Sequence, residues 1–508
     1  MDAQDPLGNM DMMRALWSRL GQDERRAMRA SCKPVRDAVD AQFIILECPN
    51  EDQPVLSPAA CARLYNVRTM TLRSMPAIRD MLLQPGAFPQ LQSLRLLLED
   101  DAVIESDADF QAIASAAPWL THLDLPLPAS ASAPPQQMAL LLNLVALRLP
   151  SCSSLINLDL FRALVNLQSL DVHDCGASDL APLGALVNLQ TLKTGRMSAS
   201  DLAPLGSLVN LRSLDVYVDG ASDLEFLRSL VNLRSLNLCT RDDDAQVSDL
   251  AALGALVNLQ TLKTGCTNAS DLAPLGSLVN LTSLDVYVDR VSDLEFLRFL
   301  VNLRSLNLCT GADGTEMSDL SPLEDLVNLQ SLSTNGLWDV SDLEPLTALT
   351  NMLTLELTHT KVDDLAPLET LQSLQHLDIS FCTASDLWPL AALPNLLSLD
   401  ISGCEEVSEL DPLANLLNLH TLKISFCFDV FDLTPLAEME NLESLDIRDC
   451  NMVSDLVPLT GMVNLQSLAL CGCTSLTDLA PLAAMVNLQG LNVYCCRDPS
   501  CACAGARI

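Results

Sequence analysis

The chain has 508 residues, 49% of them hydrophobic and only 4% aromatic, so an aliphatic core is expected and a disordered acidic tail is excluded. Lys plus Arg number 29 against 65 Asp plus Glu, a formal net charge of −36. Such a chain repels phosphate backbones and anionic bilayers, which argues against nucleic acid and membrane as partners and favours a protein with a basic surface. The opening residues, MDAQDPLGNMDMM, lack the basic start and unbroken apolar run of a secretory signal. No run of about 18 apolar residues occurs, so no membrane span is expected. The final CACAGARI is neither a prenylation box nor a retention address. An intracellular, cytoplasmic location is the expectation.

Residues 1–50 differ in pattern from the rest of the chain. MMRALWSRLGQDERRAMRASCKPVRDAVDAQF has helical periodicity, with Leu16, Leu20, Met28, Val35 and Val39 inward. One reading is a helical cap over the first apolar edge of a repeat array. The other starts from the order Trp17, Leu20, Glu24, Arg25, Arg29, Cys32, Lys33, Arg36 and Val39, which resembles a degenerate F-box. Pro6-Leu7 reverses that motif's opening Leu-Pro. The resemblance implies a ubiquitin-ligase adaptor as partner, met by Trp17, Leu20, Cys32 and Val35, with the repeats choosing a substrate for a cullin-based ligase.

From residue 51 to 494 the chain repeats. Asn-Leu-x-x-Leu-x-(Leu/Val/Ile) recurs every 22 or 23 residues, with fourteen clear copies between Asn166 and Asn487. Ser373 opens a further copy, and weaker ones begin at Asn66, Gln90, Trp119 and Asn143, giving about nineteen coils. In LQSLDV, Leu170 and Val172 share one face of a strand, while Ser169, Asp171 and His173 face the other way. In SDLAPLGAL, Ser178 or Asp179 is placed to cap a short turn, Pro182 suits its first turn, and Leu183 and Leu186 return inward. A coil thus offers about seven apolar positions that only its neighbours can bury. Stacked at about 4.8 Å per strand, nineteen coils would span about 85 Å.

This pattern resembles the short, internalin-like class of leucine-rich repeats, with SDLAPL standing for that class's D-I-x-P-L. The resemblance implies an α/β right-handed solenoid, with a parallel β-sheet on the concave face and short helices or 3-10 turns on the convex face. The family's asparagine after the strand is here often cysteine, at Cys175, Cys382, Cys404, Cys427, Cys450, Cys473 and Cys496. A small thiol is a weak donor that fits such a slot, so this column is expected to be structural, in a reducing compartment. Residues 178–240 and 248–310 match at nearly every position with an offset of 70, a duplicated block of three coils. The Asp242-Asp243-Asp244 run between the copies reads as a solvated loop.

Residues 495–508 form a Cys-rich tail, in which Cys495, Cys496, Cys501 and Cys503 have no second pair at zinc-finger spacing. The five histidines, His122, His173, His359, His376 and His420, lie in or beside repeat strands with no triad or metal spacing. No phosphate-binding or nucleophile motif occurs, so neither an enzyme nor a cofactor or metal is expected. Function therefore falls on the outward strand positions. One column, Ser169, Thr191, Ser213, Ser235, is small and polar; the next runs Asp171, Lys193, Asp215, Asn237, Lys263, Asp285, Asn307. His173, Tyr217, Tyr287, Phe381, Phe426 and Tyr494 flank it, and aromatic groups are common interface anchors. The expected function is a non-catalytic protein-interaction scaffold, with the ubiquitin-ligase substrate receptor and an adhesion or immune-type recognition protein as alternatives.

Overall fold

Inward residues between Leu410 and Val430 fall at Leu410, Leu413, Leu416, Leu419, Leu422, Ile424, Cys427 and Val430, and none is more than 1% exposed. The three-residue steps suit 3-10 geometry, with 3.0 residues per turn, and the single two-residue step at Leu422–Ile424 is the period of a strand. Accordingly, the N–H of Leu413 donates to the carbonyl of Leu410 at 2.9 Å, Leu416 to Leu413 at 2.9 Å and Leu419 to Leu416 at 3.0 Å. A 3-10 helix occupies Asp411–Asn415, with Pro412 in its first turn where no N–H is needed. Each buried leucine contributes roughly 1.5–3 kcal/mol, so seven aliphatic groups and a thiol per coil hold the stack.

The computed structural model describes residues 44–46, 68–72, 88–96, 107–126 and 134–493, the last apart from 135, 151–154, 156, 174–178, 195–201, 219–222, 241–248, 266–270, 289–290, 292 and 311–316. The chain divides into two units, residues 1–199 and 200–508. In the first, the described strands run from Ile44–Leu46 to Thr191–Lys193; in the second, from Ser213–Val218 to Gly490–Asn492. Within each unit consecutive strands pair in parallel with leucine opposite leucine, as in Leu377, Leu399, Leu422, Leu445 and Leu468. The fold is a leucine-rich-repeat solenoid, with the parallel sheet on one wall and 3-10 turns on the other.

Several details differ from the sequence reading. The sheet begins at Ile44–Leu46, which pairs with Thr69–Leu72, inside the segment 1–50 that the repeat pattern leaves out of the array. The helical reading of the residues before it, with Trp17, Leu20, Cys32 and Val35, lies outside the described residues, as do Cys175, Tyr494, Cys496, the Asp242–Asp244 run and the tail. A ten-residue α-helix, Asp107–Ala116, takes the place of a 3-10 turn in the long coil before His122–Asp124. It buries Phe110 and Ile113, and with Phe88 and Phe161 it brings rings into a core otherwise aliphatic in this unit.

Capping falls to aspartate. Asp179 Oδ1 accepts from the N–H of Ala181 at 2.8 Å, and the same i→i+2 bond recurs from Asp223 to Asp478 in most coils. Hydrogen bonds from the hydroxyl and the N–H of Thr434 hold the Asp432 carboxyl below the ordinary carboxylate range.

A second ladder joins the coils at the corner before each strand. The amide of each Leu-x-Asn-Leu asparagine reaches back to the preceding coil, as Asn418 Nδ2 does to the Pro394 carbonyl at 2.8 Å and Asn441 to Leu417 at 2.8 Å. This ladder stands before the strand and is distinct from the position after the strand, where cysteine takes the place of the family's asparagine. Because this corner is open to water, replacing Asn418 with Ala should cost about 1 kcal/mol, the net worth of one hydrogen bond. A chemical-denaturation midpoint equal to that of the parent would show that water substitutes fully for the amide.

Candidate functional site: the outward strand face

Side chains on the outward column lie directly opposite one another in neighbouring strands, so their charges meet at close range. In the first unit the column alternates in sign. Arg95 Nε lies 3.0 Å from Asp124 Oδ2, Arg148 Nη1 3.5 Å from the same oxygen, and Arg148 Nε 3.3 Å from Asp171 Oδ2. Asp171 also meets His173 Nδ1 at 2.7 Å, and Lys193 stands exposed in register with Asp171. Arg95, Asp124 and Arg148 extend backward the column that the repeat pattern starts at Asp171.

The early coils of the second unit repeat the arrangement with amides. Asn237 Nδ2 donates to Asp215 Oδ1 at 3.1 Å, Asn307 Nδ2 to Asp285 Oδ1 at 3.2 Å, and Lys263 Nζ lies 2.7 Å from Asp285 Oδ2. Tyr217 and Tyr287 stand half-buried on the same face, three strands apart. The candidate residues thus fall into two cross-strand groups, Asp215 with Asn237 and Lys263 with Asp285 and Asn307.

Farther along, the alternation stops. Glu356, Asp378 and Asp400 occupy consecutive register positions, three carboxylates with no opposite charge between them. Lys423 closes the row, 3.1 Å from Asp400. Burial pushes the Asp378 carboxyl above its ordinary value and the neighbouring Asp400 and Glu356 add to this, against hydrogen bonds from Ser380. Asp446 shows the contrast: burial pushes it up, but bonds from Arg448 and from the Ser425 hydroxyl outweigh this and hold it low.

Phe381 and Phe426 do not lie in the column of His173, Tyr217 and Tyr287, as the sequence reading grouped them. They sit one residue farther on, at a corner where the backbone turns left-handed. Gly336, His359, Phe381, Gly403, Phe426, Asp449 and Gly472 all hold φ between +58° and +84° there. From Gly336 to Asp449 each directs its N–H forward to the next coil, as Phe381 does to the Ser402 carbonyl at 2.7 Å and Phe426 to Arg448 at 2.8 Å. The His359 and Phe381 rings stack at 4.5 Å with 7° between their planes. Phe381 is 47% exposed and Phe426 39%.

Immediately after this corner comes the thiol column. Cys382, Cys404, Cys427, Cys450 and Cys473 are buried, and each Sγ donates to the carbonyl of Leu357, Ile379, Ile401, Ile424 or Ile447 in the preceding coil, at 3.0–3.3 Å. Burial pushes the thiols of Cys404, Cys427 and Cys450 up to about 12, so at neutral pH they are protonated donors and poor nucleophiles. Among the described residues no group of three or more His, Cys, Asp or Glu is arranged to hold a metal ion. No described helix is long and apolar enough to cross a membrane.

No protein-family model matches the chain, and no curated protein does. Among solved structures it is similar to a leucine-rich-repeat protein of Leptospira interrogans, at 20% identity and a TM-score of 0.61 over 73% of this chain and 95% of that one. An internalin of Listeria monocytogenes aligns at 23% identity and a TM-score of 0.51, over 73% and 93% of the two chains. The TLR13–ssRNA13 complex aligns at 18% identity and a TM-score of 0.52, over 90% of this chain and 66% of that one. At these identities the likeness is one of fold.

Proposed function

We propose that the chain is a non-catalytic protein-interaction scaffold that takes its partner on the outward strand face. The observation that carries this reading is the cross-strand pairing of Asp215 with Asn237, and of Asp285 with Lys263 and Asn307, on the face that carries Tyr217 and Tyr287. A polar surface already held in place loses little side-chain entropy on binding, which is the condition for affinity on a flat interface. The acidic balance of the chain favours a partner with a basic surface over a nucleic acid.

Affinity capture with the intact chain tests the scaffold. Replacing Tyr217 and Tyr287 together with Ala should weaken retention of the captured protein about 30-fold if both rings anchor it. Unchanged retention would remove this face from the interface. The ubiquitin-ligase reading rests on Trp17, Leu20, Cys32 and Val35 and predicts capture of an adaptor by the full chain that Trp17→Ala with Leu20→Ala abolishes. A full chain that captures no adaptor ends that reading and leaves the scaffold standing.

A further inference from the structure

Glycine serves the left-handed corner at positions 336, 403 and 472 without a Cβ penalty, yet the same conformation is filled by His359, Phe381 and Phe426. These side chains neither relieve the backbone nor gain full burial, since Phe381 and Phe426 keep 47% and 39% of their surface in water. The stack on His359 and the contact over Gly403 offset the backbone cost at Phe381 but leave much of its ring in water. Strained conformations at exposed, non-glycine positions are a mark of recognition sites. Three residues before His359, Phe381 and Gly403, on the strands of the same coils, stand Glu356, Asp378 and Asp400, the last of them paired with Lys423. Like charges directly opposite on neighbouring strands are unfavourable, and among the described residues no cation forms an ion pair with Glu356 or Asp378. Two arrangements that each cost stability thus lie side by side, and one kind of ligand relieves the charge while covering the rings.

We propose that the aromatic row His359, Phe381 and Phe426, with the Glu356–Asp378–Asp400 carboxylates beside it, docks an extended, arginine-bearing segment of a partner protein. Arginine is the fitting cation because its planar guanidinium both stacks on rings and meets carboxylates with paired donors. Successive carboxylates are one strand spacing apart, about 4.8 Å, and cations two residues apart on an extended segment lie about 7 Å apart, so the flexible arginine stems of a segment crossing the strands take up the difference of about 2 Å. Gly403 lies between Phe381 and Phe426, and the Phe381 ring occupies the space its Cβ would take, 2.4 Å from a ring carbon. The proposal deepens the scaffold reading by naming the chemistry of one partner segment, and it rests on that reading.

The test is fluorescence anisotropy with the full chain and a labelled octapeptide of alternating arginine and serine. Phe381→Gly with Phe426→Gly leaves the net charge unchanged and suits a left-handed backbone, so the fold is retained, which a melting curve verifies. That double variant should bind about 30-fold more weakly, and Glu356→Gln with Asp378→Asn should do the same. A charge-matched control on the opposite wall, Glu324→Gln with Asp325→Asn, should bind as the parent does. Equal weakening by the control, or no weakening by the phenylalanine variant, would reduce the binding to diffuse attraction and overturn the site. So would tight binding of a glutamate–serine octapeptide, the absence of arginine-peptide binding to the parent, or a change of oligomeric state in the phenylalanine variant, which would give the row to a second copy. A phenylalanine variant that still captures its partner through Tyr217 and Tyr287 while the parent ignores the peptide overturns this site alone and leaves the scaffold intact.

Discussion

Between pH 9 and pH 11 the coils built on Cys404, Cys427 and Cys450 are expected to lose stability steeply. These thiols ionise at about 12 in the folded chain, against an ordinary value of 9.0. The folded state therefore holds its protons longer than the unfolded one. A raised value of this kind gives stability that is fully present below about pH 9 and lost as pH rises toward 12. Each thiol removes at most about 1.4 kcal/mol per pH unit over that window, and because neighbouring thiolates raise one another's values the three together remove less than three times that. The physical cause is burial of each thiol where its Sγ–H donates to a carbonyl of the preceding coil; a thiolate could not donate, and would face that oxygen as a charge. Urea unfolding at pH 8, 9, 10 and 10.5 checks this, with Cys404→Ala, Cys427→Ala and Cys450→Ala combined as reference. The reference should show a shallower decline above pH 9, because lysine and tyrosine titration is common to both chains. Parallel declines would show that the column does not carry the pH dependence. Iodoacetamide should likewise modify the column at pH 8 only after unfolding.

The second large effect is expected at Gly403. Its φ of +73° is a conformation that β-branched residues scarcely enter, and a Cβ would lie 2.4 and 2.6 Å from two ring carbons of Phe381. Gly403→Val should therefore cost about 3 kcal/mol, roughly 1–2 for the backbone and the rest for driving the ring off its place beside His359. Gly472→Ala separates the two contributions. There the added Cβ would meet the Asp449 carboxylate, a side chain that can swing away, so only the backbone cost of about 1 kcal/mol should remain. In the reverse direction, Phe381→Gly should fall within about 1 kcal/mol of the parent, since lost ring contacts are offset by relief of the left-handed strain. Denaturant midpoints of the three variants decide this. A Gly403→Val chain as stable as the parent would mean that the corner can abandon its conformation, and with it the forward hydrogen bond from Gly403 to the Ser425 carbonyl at 2.7 Å.

What the sequence reveals here depends on the reach of each interaction. Steps of three and two residues between leucines are local; they specify the strands and the inward faces, and leave short helices or 3-10 turns open for the other wall, which the structure resolves as 3-10 turns. The aspartate cap is equally local, two residues from donor to acceptor. The thiol column is visible because cysteine recurs at one position, although its carbonyl partners, 25 or 26 residues back, are not. Asn418 and its equivalents mark the motif without disclosing their structural role, since the amide's acceptor lies in the preceding coil. The left-handed corner is hidden for another reason: glycine, histidine, phenylalanine and aspartate share it, so no residue type announces the geometry. Phe381 and Phe426 stand out correctly as large exposed groups, but sequence spacing assigns them to the wrong row by one residue. The helix Asp107–Ala116 lies where the repeat lapses, and periodicity has nothing to count. The break in charge alternation at Glu356–Asp378–Asp400 needs the strand register before it can be seen at all.

The sameness of the joints has a genetic consequence. Leucine meets leucine and asparagine meets carbonyl at joint after joint, and residues 178–240 and 248–310 are near copies 70 residues apart. Misaligned recombination between the two copies adds or removes 70 residues and creates only joints of a kind already present. Alleles of different length should then fold equally well and differ in how many Asp–Asn–Lys rows they present, so that reach along a partner becomes a trait that can change in whole steps.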